Sequence, residues 1–289
     1  MFKAPESEFL VPFDESFRIE NAQTRHTKRA NNKKRLKDAV KQFSIQQQAL
    51  QASDRHAVLL VFQGMDAAGK DSTISAVTRG VNPVGCQVFS FKQPSQKELD
   101  HDFLWRTNAV MPERGRIGIF NRSHYEEVLV VRVHPEILDY QQLPMSVDRE
   151  TIWEDRFESI RDQEKHLAKN GTVILKFWLN VSKEEQKKRF LARLDNANKH
   201  WKFNPGDIKE RQCWDEYMDA YDSLLKQTSR EWAPWYAIPA DSKPFMRATI
   251  AELIVNALES IGLKYPKPDP HDVIEFEASR AALVDPVEK

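Results

Sequence analysis

Residues Gly64 to Ser72 read Gly-Met-Asp-Ala-Ala-Gly-Lys-Asp-Ser, a G-x-x-x-x-G-K pattern set between a β-prone run, Ala57 to Phe62, and a helical pattern beginning at Lys70. That context constrains the chain more than any other feature. Glycines let the backbone turn its N–H groups inward on an anion, the helix N-terminus adds partial positive charge, and the lysine reaches the same group. Gly64, Ala67, Ala68, Gly69, Lys70, Asp71 and Ser72 are therefore expected to contact phosphate.

From residue 57 onward, short apolar runs alternate with longer helical patterns, the mark of parallel βαβ architecture. Five strands are expected at Ala57–Phe62, Gln87–Phe91, Gly115–Phe120, Thr172–Leu179 and Trp235–Pro239. Helices are expected at Lys70–Gly80, Gln96–Ala109, Val147–Lys169, Ser182–Leu194, Pro205–Gln227 and Lys243–Ile261. The fold class is α/β, a five-stranded parallel sheet flanked by helices. Right-handed crossovers would bring every strand's C-terminal end to one edge, where the chemistry belongs.

Three parts follow from this pattern: an arm and amphipathic helix over 1–54, a core over 55–265 with a lid near 183–211, and an acidic extension over 266–289. Arg25 to Lys37 holds seven basic residues and no acidic one. It opens a helix whose Leu36, Val40, Phe43 and Leu50 share a face that can dock on the core, leaving the cations wet or in contact with a polyanion.

The formal net charge is zero, so any basic site must be local. Cys86 and Cys213 form no metal-binding spacing and suit a reducing, cytoplasmic setting. The N-terminus lacks the organisation of a signal peptide, and no apolar run is long enough to span a bilayer.

Two departures from the general phosphate-loop pattern bear on metal binding. Asp71 stands where a Ser or Thr usually ligates magnesium, and Asp66 places a second acid inside the loop. An acid beside phosphates is repulsive unless it holds a cation or orients a group. The third strand then runs into Asn121-Arg122-Ser123-His124-Tyr125-Glu126-Glu127, with Asn121 where an acid is usual. Asp66, Asp71 and Asn121 are the candidate Mg²⁺ ligands, and Asp66, Lys70 and Arg122 the candidate catalytic residues. Glu126 is expected in an acceptor site, and Arg132, alone in an apolar run where a charge is costly without an anion, is expected to bind phosphate or nucleotide. His124 has no second histidine at ligand spacing, and transfer to an ionised acceptor needs no imidazole base. Lys183 to Arg211 carries nine basic and five acidic residues. Arg189 and Arg193 share one helix face there, and with Lys199 and Lys202 they are candidate phosphate contacts of a closing lid.

Taken together, FQGMDAAGKD, FNRSHYEEVLVVRVHP, ILKFWLNVSKEEQKKRF and WKFNPGDIKER resemble the polyphosphate kinase 2 family over roughly residues 30 to 265. The resemblance implies a P-loop kinase fold, Mg²⁺ dependence, and reversible transfer of the terminal phosphate of inorganic polyphosphate to an adenine or guanine nucleotide. The Asn121 form, with His124 and Glu126, is similar to the subgroup acting on AMP as well as ADP. A dimer or tetramer is implied, with neither nucleic acid nor membrane as partner. An ATP-dependent nucleoside monophosphate kinase stays open as an alternative, distinguished by its donor. A P-loop switch or nucleic-acid-binding protein is a remoter one, disfavoured by the zero net charge and the missing N-K-x-D motif.

Overall fold

The computed structural model describes residues 2–26 and 30–284, apart from the side chain of Lys202. Five strands, β1 (Ala57–Gln63), β2 (Cys86–Ser90), β3 (Ile117–Asn121), β4 (Thr172–Asn180) and β5 (Trp235–Pro239), form one parallel sheet in the order β2-β3-β1-β4-β5. Around it lie α1 (Asn32–Ser53), α2 (Lys70–Val77), the short α3 (Gln96–Leu99), α4 (Trp105–Asn108) and α5 (Val130–Val133), then α6 (Ile152–Lys169), α7 (Lys183–Leu194), α8 (Gly206–Gln212), α9 (Trp214–Thr228), α10 (Lys243–Ser260) and α11 (Pro270–Val284).

Strands covered on both faces need continuous apolar runs, and β1 and β5 are buried at every residue. The exception in the sheet centre is Lys176 of β4, which is fully buried. Its Nζ donates to Glu164 Oε2 at 2.6 Å, to Tyr125 Oη at 2.8 Å and to the Thr228 carbonyl at 2.8 Å, so the charge is paired and all three protons are used.

Helix α10 is apolar around most of its circumference because it is covered twice, by the sheet and by α1. Phe43 and Leu50 of α1 are fully buried, while Leu36 and Val40 are partly so, and Arg35 is anchored to Glu252 of α10 through Nε at 2.8 Å. Burial of each large side chain contributes about 1.5–3 kcal/mol. The N-terminal arm is mostly without regular structure, but an isolated bridge at Leu10 pairs it with the open edge of β5. Val11 N donates to the Trp235 carbonyl at 2.9 Å and Ala237 N to that of Phe9 at 2.8 Å, covering an edge that would otherwise expose ladder groups.

Local capping explains where helices differ from the expected ranges. The Ser95–Glu98 capping box opens α3, and the span 96–109 breaks before α4 where Asp102 accepts from Leu104 N at 2.9 Å, starting a new turn. α6 begins at Ile152 rather than 147, after the turn in which Asp148 accepts from Glu150 N. The span 205–227 is interrupted at Cys213, whose ψ of 31° leaves the helical region between α8 and α9. In the tail, α11 buries no residue. Among the described residues no helix is long and apolar enough to cross a membrane.

Candidate active site

The loop from Gly64 to Gly69 leaves β1 at the C-terminal edge of the sheet, beside the ends of β3 and β4. Gly64 has φ +153°, and a Cβ there would lie 3.0 Å from the Leu179 carbonyl oxygen and 3.1 Å from Leu179 Cβ, so β4 leaves no room for a side chain. Gly69, at φ +108°, makes the left-handed step into α2. Lys70 is buried in the concavity, its Nζ donating to the Gly64 carbonyl at 2.6 Å. Burial lowers its pKa, aided by Arg122 and opposed by Asp66, Glu126 and Asp71. Ser72 turns its hydroxyl back to the Gly69 carbonyl at 3.1 Å.

The end of β3 is tied to this loop from two sides. Arg122, at φ +63°, donates its backbone N–H to the Phe62 carbonyl at 3.0 Å, which aims the side chain back over the loop. Its guanidinium bridges Asp66 Oδ1 at 2.7 Å and Glu126 Oε2 at 3.0 Å. The Glu126 charge, then that of Asp66, raises the Arg122 pKa against the effect of burial. One residue earlier, Asn121 Nδ2 donates to Asp71 Oδ1 at 2.8 Å. An ionised carboxylate only accepts, so this contact fixes the amide orientation and leaves Asn121 Oδ1 buried with no hydrogen-bond partner.

Beyond Arg122 opens a cavity of about 730 Å³, walled by Phe91, Lys92, Arg106, His124, Val130, His134 and Tyr140 among others. Arg122 and Glu126 line both this cavity and the narrow cleft above Gly64, Met65 and Asp66, so they form the wall shared by the two. Glu210 of α8 also reaches both; its Oε2 accepts from Tyr217 Oη at 2.5 Å and lies 2.9 Å from His134 Nε2. His124 is buried, and neither ring nitrogen has a hydrogen-bond partner. Burial, reinforced by Lys176, pushes its pKa down to about 3, so the ring is neutral.

The expected lid residues divide. Arg189 of α7 is buried, and its donors hold backbone and Glu185: Nε to Glu185 Oε1 at 2.9 Å, Nη1 to the Ala67 and Ala68 carbonyls at 3.0 and 2.7 Å, Nη2 to those of Ala240 and Asp241 at 2.6 and 3.3 Å. It clamps the phosphate loop to the turn after β5. Arg193 faces Asp207 at 3.4 Å, and Lys199 is exposed in the turn after α7. The side chain of Lys202 lies outside the described residues. Arg132 is not gathered here: Val130 and Val131 of α5 face the cavity, whereas Arg132 lies in the fields of Glu154 and Asp219.

Sequence reasoning missed Gln186, whose Nε2 donates to the Asp66 carbonyl at 2.8 Å, and Tyr217, Tyr221 and Glu210 beside the loop. Tyr217, Tyr221 and Leu224 repeat with the period of a core-facing helix stripe, so nothing in their spacing signals a site.

The profile of the family described as Polyphosphate kinase 2 (PPK2) matches residues 25–265. The chain belongs to this family. An ADP-polyphosphate phosphotransferase of Rhodopseudomonas palustris is 56% identical over 236 residues, covering 81% of this chain and 82% of the relative. An AMP/ADP-polyphosphate phosphotransferase of Meiothermus ruber is 44% identical over 223 residues, covering 77% and 79%. The crystal structure of polyphosphate kinase 2 from Arthrobacter aurescens TC1 superposes with a TM-score of 0.87 at 35% identity, covering 98% of both chains. The family's kinase fold is thus the one that the Gly64–Ser72 loop and the βαβ pattern imply.

Proposed function

We propose that this chain transfers the terminal phosphate of inorganic polyphosphate to AMP or ADP. The observation that carries the reading is the wall formed by Arg122 and Glu126. On one side lies the Lys70 loop, built for phosphates; on the other lies a cavity of nucleotide size with the cations Lys92 and Arg106 in its lining. The names of the relatives from R. palustris and M. ruber support the same substrates.

In this reading the donor's terminal phosphates lie on the N–H groups of residues 64–70, and the acceptor's phosphate enters from the cavity. An ionised oxygen of the acceptor attacks the terminal phosphorus. A new P–O bond forms as the bridging P–O bond breaks, and the electron pair leaves on a polyphosphate one unit shorter. No proton need be removed, so the work is alignment and charge neutralisation. Lys70, drawn from the Gly64 carbonyl, and Arg122, held between Asp66 and Glu126, supply positive charge on the two sides of the transferred group. Arg193 and Lys199 act as parts of a lid formed by α7 and α8.

Asp66, Asp71 and Asn121 would hold Mg²⁺. The donor set is all oxygen, and the unpartnered Oδ1 of Asn121 beside the Asp71 carboxylate suits a hard cation that keeps several waters and takes phosphate oxygens. When bound, the ion would neutralise charge on the phosphates. We also read the protein as a homo-oligomer.

The test is nucleotide analysis by chromatography after incubating purified protein with Mg²⁺, polyphosphate and either AMP or ADP. ADP from AMP and ATP from ADP are expected. Failure of both acceptors with polyphosphate, together with ADP formation from AMP and ATP, would make the protein a nucleoside monophosphate kinase.

A further inference from the structure

Three separate stretches wall the cavity beyond Arg122: residues 91–106 after β2, residues 122–127 after β3, and residues 136–142 after α5. The third rests on a small core of its own, Val131, Leu138 and Ile152, apart from the main core that holds Phe157 and Ile160 of α6. Trp153 packs against both cores. Apolar burial is non-directional, so the spacing of the walls calls for a directed contact as well.

Arg156, one turn along α6 from Trp153, is 4% exposed and reaches all three stretches from behind. Its Nη1 donates to the Glu127 carbonyl at 2.8 Å and to Glu127 Oε2 at 3.1 Å, and its Nη2 donates to Gln141 Oε1 at 2.5 Å. The guanidinium also lies 5.2 Å from the centre of the Phe103 ring, on the stretch that carries Arg106. Gln141 Nε2 closes the ring of contacts by donating to Glu127 Oε2 at 2.7 Å. Stability alone is a poor reason to bury such a pair, because desolvation of the two charges offsets much of their attraction. What a guanidinium adds is a planar fork of fixed directions, which sets the distance between the groups it joins. It also cancels the charge of Glu127, an acid in the lining of a cavity that an anionic acceptor would enter.

We propose that Arg156 is a positioning residue for the acceptor: it holds the three walls at the spacing a nucleotide fills, and so sets the affinity for AMP without touching it. The inference rests on the cavity being the acceptor site. The phosphate loop on the donor side is clamped separately, by Arg189. Loosening Arg156 therefore weakens one substrate and spares the other.

The experiment measures initial rates for the wild type, Gln141→Leu and Arg156→Lys, varying AMP at saturating polyphosphate and then polyphosphate at saturating AMP. Gln141→Leu is the milder change, since Gln141 is only partly buried and the Arg156–Glu127 pair stays intact. Arg156→Lys keeps the charge and loses the fork. Thermal melting checks that each variant is folded, and Gln141→Leu decides the matter if Arg156→Lys is not. The KM for AMP is expected to rise about tenfold, with the KM for polyphosphate within about twofold and kcat within about threefold, the pattern of lost uniform binding on one side. A tie that serves stability alone would lower the melting temperature and leave both KM values where they were. That result in a folded variant, or an equal rise in the two KM values, would overturn the positioning role. A wild type that makes no ADP from AMP and polyphosphate would instead overturn the proposed reaction.

Discussion

Arg122 Nη2 lies 2.7 Å from Asp66 Oδ1, joining the end of β3 to an acid inside the phosphate loop. The pair would let an acid be tolerated in a loop proposed to bind phosphates: its charge is matched by a guanidinium that Glu126 also holds at 3.0 Å. Asp66→Asn is predicted to free Arg122 toward Glu126 and to lower kcat by roughly a hundredfold, the scale of losing one preorganised electrostatic contact. Steady-state rates with AMP as acceptor check this. A kcat within twofold of wild type would show that the bridge is structural only.

Asn121 and Asp71 make a prediction about metal. Asp71→Ala removes a carboxylate of the proposed Mg²⁺ set and the partner of the Asn121 amide. The Mg²⁺ concentration giving half-maximal rate should rise about tenfold or more, while saturating Mg²⁺ recovers most of the rate. Chelation with EDTA should stop transfer in the wild type. Full activity of the chelated enzyme would exclude the metal assignment.

Arg189 is predicted to act through the backbone. Its guanidinium joins the Ala67 and Ala68 carbonyls to those of Ala240 and Asp241, so Arg189→Lys loses the fork that spans both loops. Stability without substrate should fall by about 2–3 kcal/mol, the scale for leaving buried acceptors unpaired, as measured by urea unfolding. Unchanged stability combined with a raised donor KM would make Arg189 a direct phosphate ligand instead.

His124 should set part of the acid sensitivity. Its folded pKa, about 3, lies below the unfolded value of 6.5, so the unfolded chain binds the extra proton between these limits. Stability therefore rises with pH across that window and is lost as pH falls below about 6.5, by up to about 1.4 kcal/mol per pH unit from this group. His124→Phe keeps an aromatic ring, removes nitrogens that have no partner, and should flatten the unfolding free energy between pH 6.5 and 5. Curves that stay parallel for the two proteins would contradict the assignment.

Much of the fold was legible because it is local. Apolar runs located each strand to within two residues, and the strand–loop–helix context around Gly64 and Lys70 marked the loop that stands at the C-terminal edge of the sheet. The break between α3 and α4 was not legible, since Asp102 can either cap a new turn or sit within a continuing helix. Neither was the cavity, whose walls come from Phe91, Arg106 and His134, on three separate segments with no shared periodicity. Arg132 reads in the sequence as a phosphate or nucleotide contact, but it lines neither the cavity nor the cleft, and the carboxylates whose charges act on it are Glu154 and Asp219. In the same way, the spacing of Arg189 and Arg193 placed both on one helix face without showing that one grips carbonyls and the other a carboxylate.

The central claim is that phosphate passes from polyphosphate, over Lys70, to a nucleotide. It is tested most directly by supplying ³²P-labelled polyphosphate and unlabelled ATP together, with AMP as acceptor, to the wild type and to Lys70→Ala. The account predicts label in ADP for the wild type, and a loss of about a thousandfold or more in the variant, with its melting transition retained. Label confined to polyphosphate while AMP is consumed at the expense of ATP would contradict it.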